Sequence, residues 1–285
     1  MQQATIIYLT NIVIISILAS MISHYWLRQG RAAAMLFWML AAWTLVVADV
    51  FFAVRPQLPN WAARIIPTLL VSLGHAGLLL GARKTAALET KWWAVVAPIA
   101  LHAAGLFYFL RNDEHSEWRM VFNGIVWASF SFVSSWSLKK APRAFWLSLF
   151  SPRTAFLWHG IFHCFRVVFA SLCAVQGWDE IASWLQVVSD FEVSFFMVAL
   201  FVSLLMANLQ LRNEELSNAL AEVHMLTGLL PICAWCKKVR NDNGYWQKVE
   251  DYLASHSRIK FTHGICADCF NEQRPSKLEC TRQAK

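Results

Sequence analysis

Two cysteine pairs stand near the end of the chain, Cys233-Ala-Trp-Cys236 and Cys266-Ala-Asp-Cys269, with 29 residues between them. Thiolates at this spacing point to one side, so two such pairs supply the four sulfurs of a tetrahedral structural zinc site, one ion per chain. Zinc with four thiolates carries a net charge of about −2. Lys237, Lys238, Arg240 and Lys260 lie close in sequence to offset it. His263, three residues before Cys266, is an alternate ligand or a hydrogen-bonding neighbour of one. A rubredoxin-like tetrathiolate iron site is the main rival. Rubredoxins usually place a small residue after each pair, where this chain has Lys237 and Phe270, and this favours zinc. Two disulfides do not suit a reducing cytoplasm, and no βαβ pattern surrounds either pair as a thioredoxin-like motif requires. Cys280, in the polar tail, lacks a neighbour at ligand spacing.

A second set of reactive side chains lies inside apolar sequence. Asp49, Arg166, Asp190 and Glu192 are ionisable residues within stretches long enough to cross a bilayer, and Arg166 is the one Lys or Arg in any of them. Charges at such depth face the bundle interior and find partners, so these four form either a ligand- or proton-binding cluster or an ion pair that holds helices together. His75, His102, His159 and His163 fall near mid-depth as well. Facing imidazoles can ligate haem or a transition metal, or they can hydrogen-bond a neighbouring helix. Cys164 and Cys173 read as small packing residues.

The elements that must position these residues are membrane helices. The chain of 285 residues is 57% hydrophobic and 15% charged, with 15 Trp, which is more apolar than a globular domain of this length. Seven stretches, 5–27, 32–54, 65–82, 92–110, 120–138, 154–175 and 184–206, are each close to the ~20 residues needed to span a bilayer core. The loops set orientation. Arg28, Arg31, Arg83, Lys84, Lys91, Lys139, Lys140, Arg143 and Arg153 place nine basic residues in one set of loops, against Arg55, Arg64, Arg111 and Arg119 in the other. The positive-inside rule puts the amino terminus outside and the tail in the cytoplasm of a bacterial inner membrane. Trp26, Trp61, Trp92, Trp93, Trp118 and Trp178, near span ends, read as interfacial anchors. The net charge of +7 belongs mostly to the loops, and no basic patch interleaved with stacking aromatics points to nucleic acid.

Beyond the last span, Leu209, Leu216, Val223 and Leu230 recur every seven residues, with Asn213, Leu220 and Thr227 in the complementary positions. This predicts a short parallel coiled coil over 207–230, forming a homodimer, with Asn213 setting register. Gly228 and Pro231 end the helix. Residues 231–275 then make a small α+β module, too short to be held by an apolar core alone. Ile232, Trp235, Val239, Tyr245, Trp246, Val249, Leu253, Phe261 and Ile265 are its core candidates. Asn241-Asp242-Asn243-Gly244 predicts a turn, and 246–256 a helix with Trp246, Val249 and Leu253 on one face. Residues 276–285 form a flexible tail.

The runs Gly228-Leu-Leu-Pro-Ile-Cys-Ala-Trp-Cys-Lys-Lys-Val-Arg-Asn-Asp-Asn-Gly-Tyr-Trp246 and Phe261-Thr-His-Gly-Ile-Cys-Ala-Asp-Cys269 resemble a small C-terminal module of bacterial signalling proteins, where it commonly follows a receiver, a PAS domain or another sensory input. The membrane part loosely resembles the multi-helix inputs of sensor kinases and diguanylate cyclases, without a GGDEF-type signature, a phosphoacceptor-histidine context or an ATP-binding glycine motif. The resemblance implies a signalling attachment with no established enzymatic activity, and the expected output is altered binding to a cytoplasmic partner protein. Taken together, the sequence predicts an all-α membrane protein: a seven-helix sensory bundle over 1–206, a cytoplasmic coil and a zinc-stapled module. The alternative is a transmembrane electron carrier with haem between helices and iron in the four-cysteine site.

Overall fold

Long apolar runs need their backbone hydrogen bonds satisfied within the segment, and helices are the local answer. The computed structural model describes residues 2–28, 33–111, 116–227, 231–240, 244–256, 261–262 and 264–272. The apolar stretches become α1 (Gln2–Arg28), α2 (Ala33–Ala53), α3 (Asn60–Thr85), α4 (Trp93–Arg111), α5 (Ser116–Leu138), α6 (Pro152–Gln176) and α7 (Asp179–Thr227). Among the described residues six helices, α1 to α4, α6 and α7, are long and apolar enough to cross a membrane. α5 has the length but carries more polar residues.

The chain divides into two units, residues 1–215 and 216–285. In the first, Phe107, Phe165, Phe195, Trp136 and Leu101 stand more than half exposed, while Asn11, Ser72, His102, His163 and Arg166 are buried. That inversion suits lipid outside and polar contacts inside.

Close approach of α2 and α3 depends on three glycines. A Cβ at Gly74 would lie 2.6 Å from the Leu45 side chain, one at Gly77 3.0 Å from Ala41, and one at Gly81 2.8 Å from the Trp38 ring. Small residues let the helices touch along this line, as membrane packing without a hydrophobic drive requires. Trp38 is fully buried there and donates to Thr85 Oγ1 at 3.3 Å. Gly160 does the same for α5 and α6, where a Cβ would meet the Phe132 ring at 3.0 Å. α6 starts at a capping box, with Ser151 N donating to Thr154 Oγ1 and Thr154 N to Ser151 Oγ, and Pro152 at its first turn. It stops at Gly177, whose φ of +69° suits the left-handed end of a helix.

The second unit takes in the end of α7, which continues without a break from the apolar stretch to Thr227. Beyond it stand β1 (Val239–Arg240) and β2 (Trp246–Gln247), antiparallel with Val239 opposite Gln247 and Arg240 opposite Trp246, then α8 (Val249–His256) and α9 (Ala267–Glu272). Trp246 therefore belongs to a strand and not to the helix expected over 246–256. Of the expected core residues only Val239 is buried; Trp235 is 95% exposed, and Ile232, Tyr245, Trp246, Phe261 and Ile265 are exposed too. Most of the expected turn, Asn241 to Asn243, lies outside the described residues, but Gly244 has the left-handed φ of +85° such a turn uses.

Candidate functional site

Three helices converge on one buried place. α3 supplies His75, α6 supplies His159 and His163 one turn apart, and α7 supplies Glu192. His75, His159 and His163 are almost wholly buried. His75 Nε2 lies 3.0 Å from His159 Nε2, and His163 Nε2 lies 3.2 Å from that same atom. Glu192 grips the far side of His159, its two oxygens 2.9 and 3.0 Å from Nδ1. Phe196 stacks on the His159 ring at 3.7 Å between centroids, and Trp127 stacks on His75.

The proton positions follow from the acceptors. His75 Nδ1 is 2.8 Å from the Val71 carbonyl, which can only accept, so Nδ1 carries the hydrogen and a neutral His75 presents a lone pair at Nε2. With Glu192 ionised, His159 Nδ1 likewise donates to the carboxylate, and its Nε2 is a lone pair as well. Two lone pairs at 3.0 Å repel. The arrangement is satisfied when a positive species enters it, either one additional proton on the His159–Glu192 pair or a metal ion between the nitrogens. His163 Nδ1 is buried with no hydrogen-bond partner among the described residues, so Nε2 is its engaged atom. Donor atoms of His159, His163 and Glu192 all lie within 4.8 Å of one another.

His102, expected with the other histidines, stands apart in chemistry. Its Nδ1 is 2.6 Å from Ser72 Oγ and its Nε2 2.8 Å from Asn123 Oδ1, while Ser72 Oγ also accepts from Trp127 Nε1 at 3.0 Å. A neutral ring that donates from Nε2 to Asn123 and accepts at Nδ1 from Ser72, in place of the longer Ser72 contact to the Thr68 carbonyl, ties α3, α4 and α5 together. The rings of His75 and His159 are in direct contact, and a porphyrin between them would need them to part.

The four intramembrane charges separate in the same way. Glu192 joins the histidines. Arg166 Nη2 donates to Gln186 Oε1 at 3.2 Å, Gln186 Nε2 donates to Asp190 Oδ1 at 2.8 Å, and Tyr8 donates its hydroxyl hydrogen to Asp190 Oδ2 at 2.9 Å. Arg166 and Asp190 thus communicate through an amide and not by direct contact. The Arg166 guanidinium lies over the Trp127 ring at 5.4 Å. Asp49 is buried on α2. Asp190 and Glu192 are two residues apart on α7 and so face different neighbours, α1 and α6.

In the second unit each cysteine pair closes on itself. Cys233 N donates to the Lys238 carbonyl at 2.8 Å and Lys237 N to the Cys233 carbonyl at 3.0 Å, folding the first pair into a tight turn. Lys237 takes φ +58°, the left-handed conformation usually left to glycine, so the absence of a small residue there does not disfavour iron over zinc. The second pair brackets the start of α9, with Cys269 N donating to Cys266 Sγ at 3.4 Å. The Cys236 and Trp235 amides hold the Cys233 thiol below its ordinary range, and the Cys269 amide does so for Cys266. The two pairs are not drawn into one ligand set: among the described residues, His159, His163 and Glu192 make the one group of three donors within 4.8 Å. The thiolate chemistry fits zinc, and the separation of the pairs does not yet form the tetrahedron. His263, Lys260 and Cys280 lie outside the described residues.

Sequence reasoning missed Ser72, Asn123, Trp127, Gln186 and Tyr8. Isolated polar residues in apolar helices were the available signal, and the partners that give them meaning sit on other helices. No known protein family, curated protein or solved structure matches the chain.

Proposed function

We propose that this protein is a non-enzymatic membrane sensor: a seven-helix bundle binds its stimulus at the His75–His159–His163–Glu192 cluster and passes the change to a dimeric coil and a zinc-binding module. One observation carries the reading. α7 holds Glu192 against His159 and runs unbroken to Thr227, so the helix that closes the buried cluster is the helix that bears the coil seam.

Supporting features come from both ends of that helix. α5 serves as the seventh span because its polar Asn123, Ser131 and Ser134 are buried while Ile125, Val133 and Trp136 face outward. An odd number of spans, with the loop charges, puts the tail in the cytoplasm. Leu209, Leu216 and Leu220 on the seam are more than half exposed, as side chains awaiting a second copy are. The resemblance of 228–270 to a signalling attachment supports a cytoplasmic partner protein as the next step. Zinc taken up by Cys233, Cys236, Cys266 and Cys269 supplies order that a core built on Val239 does not. The electron-carrier alternative keeps its tetrathiolate iron, but its haem would have to separate His75 from His159.

Photo-crosslinking in membranes tests the reading. A benzophenone side chain at Leu209 or Leu216 is expected to capture a second copy, whereas one at Arg212 or Glu215 captures far less. Glu192→Gln is expected to change the yield at the seam. Equal yields at all four positions, or a seam indifferent to Glu192, would remove the proposal.

A further inference from the structure

We infer that the chain dimerises within the membrane as well as beyond it: the face of α7 from Val188 to Met206 takes the α7 of a second copy, in phase with the coil that follows. The inference deepens the sensory reading by naming what covers this face, and it rests on that reading for the dimeric coil.

The first observation is phase. Counting back from Leu209 in the coil's own alternation of three and four residues gives Met206, Val202, Ala199, Phe195, Glu192 and Val188. α7 is helical over all of them. Helix pairs in membranes mostly cross at the angle of soluble coiled coils, so one seam passes from lipid to water without a change of register.

The second is exposure. Val188, Phe195, Val202 and Met206 stand 47–74% exposed, and Ala199 is exposed with them. Among the described residues, every buried side chain of α7, Phe196, Leu200 and Leu204 included, falls outside the seam. One stripe of the helix is thus spent on its own bundle, and a second stripe with coiled-coil spacing is left over.

The third is shape. A groove of about 530 Å3 opens between α6 and α7, and Glu192, Phe195, Ala199, Val202 and Met206 all line it. Ala199 lies midway along this row. A small residue there lets a neighbouring helix approach closely, which association in lipid depends on.

The fourth is what a two-fold axis does to Glu192. Both copies insert with the same orientation, so a closed pair has its axis along the membrane normal and sets each seam residue beside its own counterpart. Glu192 then meets Glu192 of the second copy in one layer. A polar residue on a seam fixes register at a cost in stability, as Asn213 does in the coil. Two carboxylates in one layer repel unless each is paired, and the pairing here is with His159. A stimulus that loosens His159 from Glu192 therefore acts directly on the seam.

The test uses the full chain in membranes. A benzophenone side chain in place of Phe195, Val202 or Met206 is expected to capture a second copy, whereas one in place of Phe107 on α4 or Trp136 on α5, which are also exposed, captures far less. Ala199→Trp puts a bulky ring on the seam without entering the bundle. It should weaken dimerisation by roughly 10-fold, measured as energy transfer between two dye-labelled populations in phosphatidylcholine vesicles. Ala97→Trp, on the exposed face of α4, should leave the transfer unchanged. Glu192→Gln removes the facing charges and should raise capture at Phe195 and Val202. Should Ala199→Trp lower the bundle's Tm, the capture pattern of the parent chain decides. Capture at Leu209 and Leu216 with none at Phe195, Val202 and Met206 would confine the dimer to the coil, overturning this inference and leaving the sensory reading standing. Equal capture at Phe107 and Phe195 would overturn it as well, and no capture at any position would remove both.

Discussion

The bundle and the cysteine module both gather metal-ligand residues, but they hold them in opposite ways. In the bundle, His75, His159 and His163 are buried; His75 stacks on Trp127 and His159 on Phe196, and these two are held from behind by Val71 and Glu192. In the module, Cys236, Cys266 and Cys269 are exposed, only Val239 among the expected core residues is buried, and the two pairs stay apart. A site whose residues are positioned by packing exists before its stimulus arrives. One whose ligands are positioned by short turns waits for its ion to assemble it. Under the proposed function the first answers its stimulus by small shifts of a helix, whereas the second converts zinc occupancy into order.

The largest expected effect tests this contrast at the module. Cys236→Ser, or a strong chelator, should render residues 228–275 sensitive to protease while leaving the bundle inserted and folded, because structural zinc in small domains supplies on the order of 10 kcal/mol. Retained protease resistance would mean the module is packed without metal.

Gly81→Leu comes next. Its side chain would enter the space of the Trp38 ring and force α2 from α3, costing about 1–3 kcal/mol or more in detergent unfolding. The module's protease pattern should not change. Ser72→Ala removes the shared partner of His102 and Trp127 and should cost about 1–3 kcal/mol in detergent unfolding, without changing the module's protease pattern. The smallest effect is Ser151→Ala, which uncaps α6 for about 1 kcal/mol, seen as a slightly lower unfolding midpoint.

The sequence showed these two regions unequally. Membrane helices were legible because a run of about twenty apolar residues leaves the backbone few choices, and each of the seven expected stretches falls on one of α1 to α7, two of them running a residue past a described helix end. The continuation of the last one as helix to Thr227 was legible too, since the heptad spacing joins the apolar run without a helix breaker before Gly228. The depth of the histidines was readable, but their roles were not. His102 and His75 look alike until Ser72 and Asn123 are seen to occupy both nitrogens of one of them.

Depth in the membrane groups Glu192 with Asp49, Arg166 and Asp190. A spacing of two residues on a helix already argued that Asp190 and Glu192 face apart. In the module, the φ of Lys237 had no sequence signal, because lysine rarely takes that conformation unless hydrogen bonds such as those of Cys233 and Lys238 impose it. Trp246 was assigned to a helix from a short apolar periodicity that strand pairing with Arg240 overrode.

The most direct measurement is the metal content of the purified full-length chain and two variants, by elemental analysis after dialysis in detergent. The account predicts one ion per chain in the parent, held by the four cysteines. It predicts none when the four cysteines are changed to Ser, and one still when His159 and His163 are changed to Ala. A parent chain without zinc, or an ion count unaltered by the cysteine changes, would contradict the claim that the module is assembled by its metal while the bundle is held by packing.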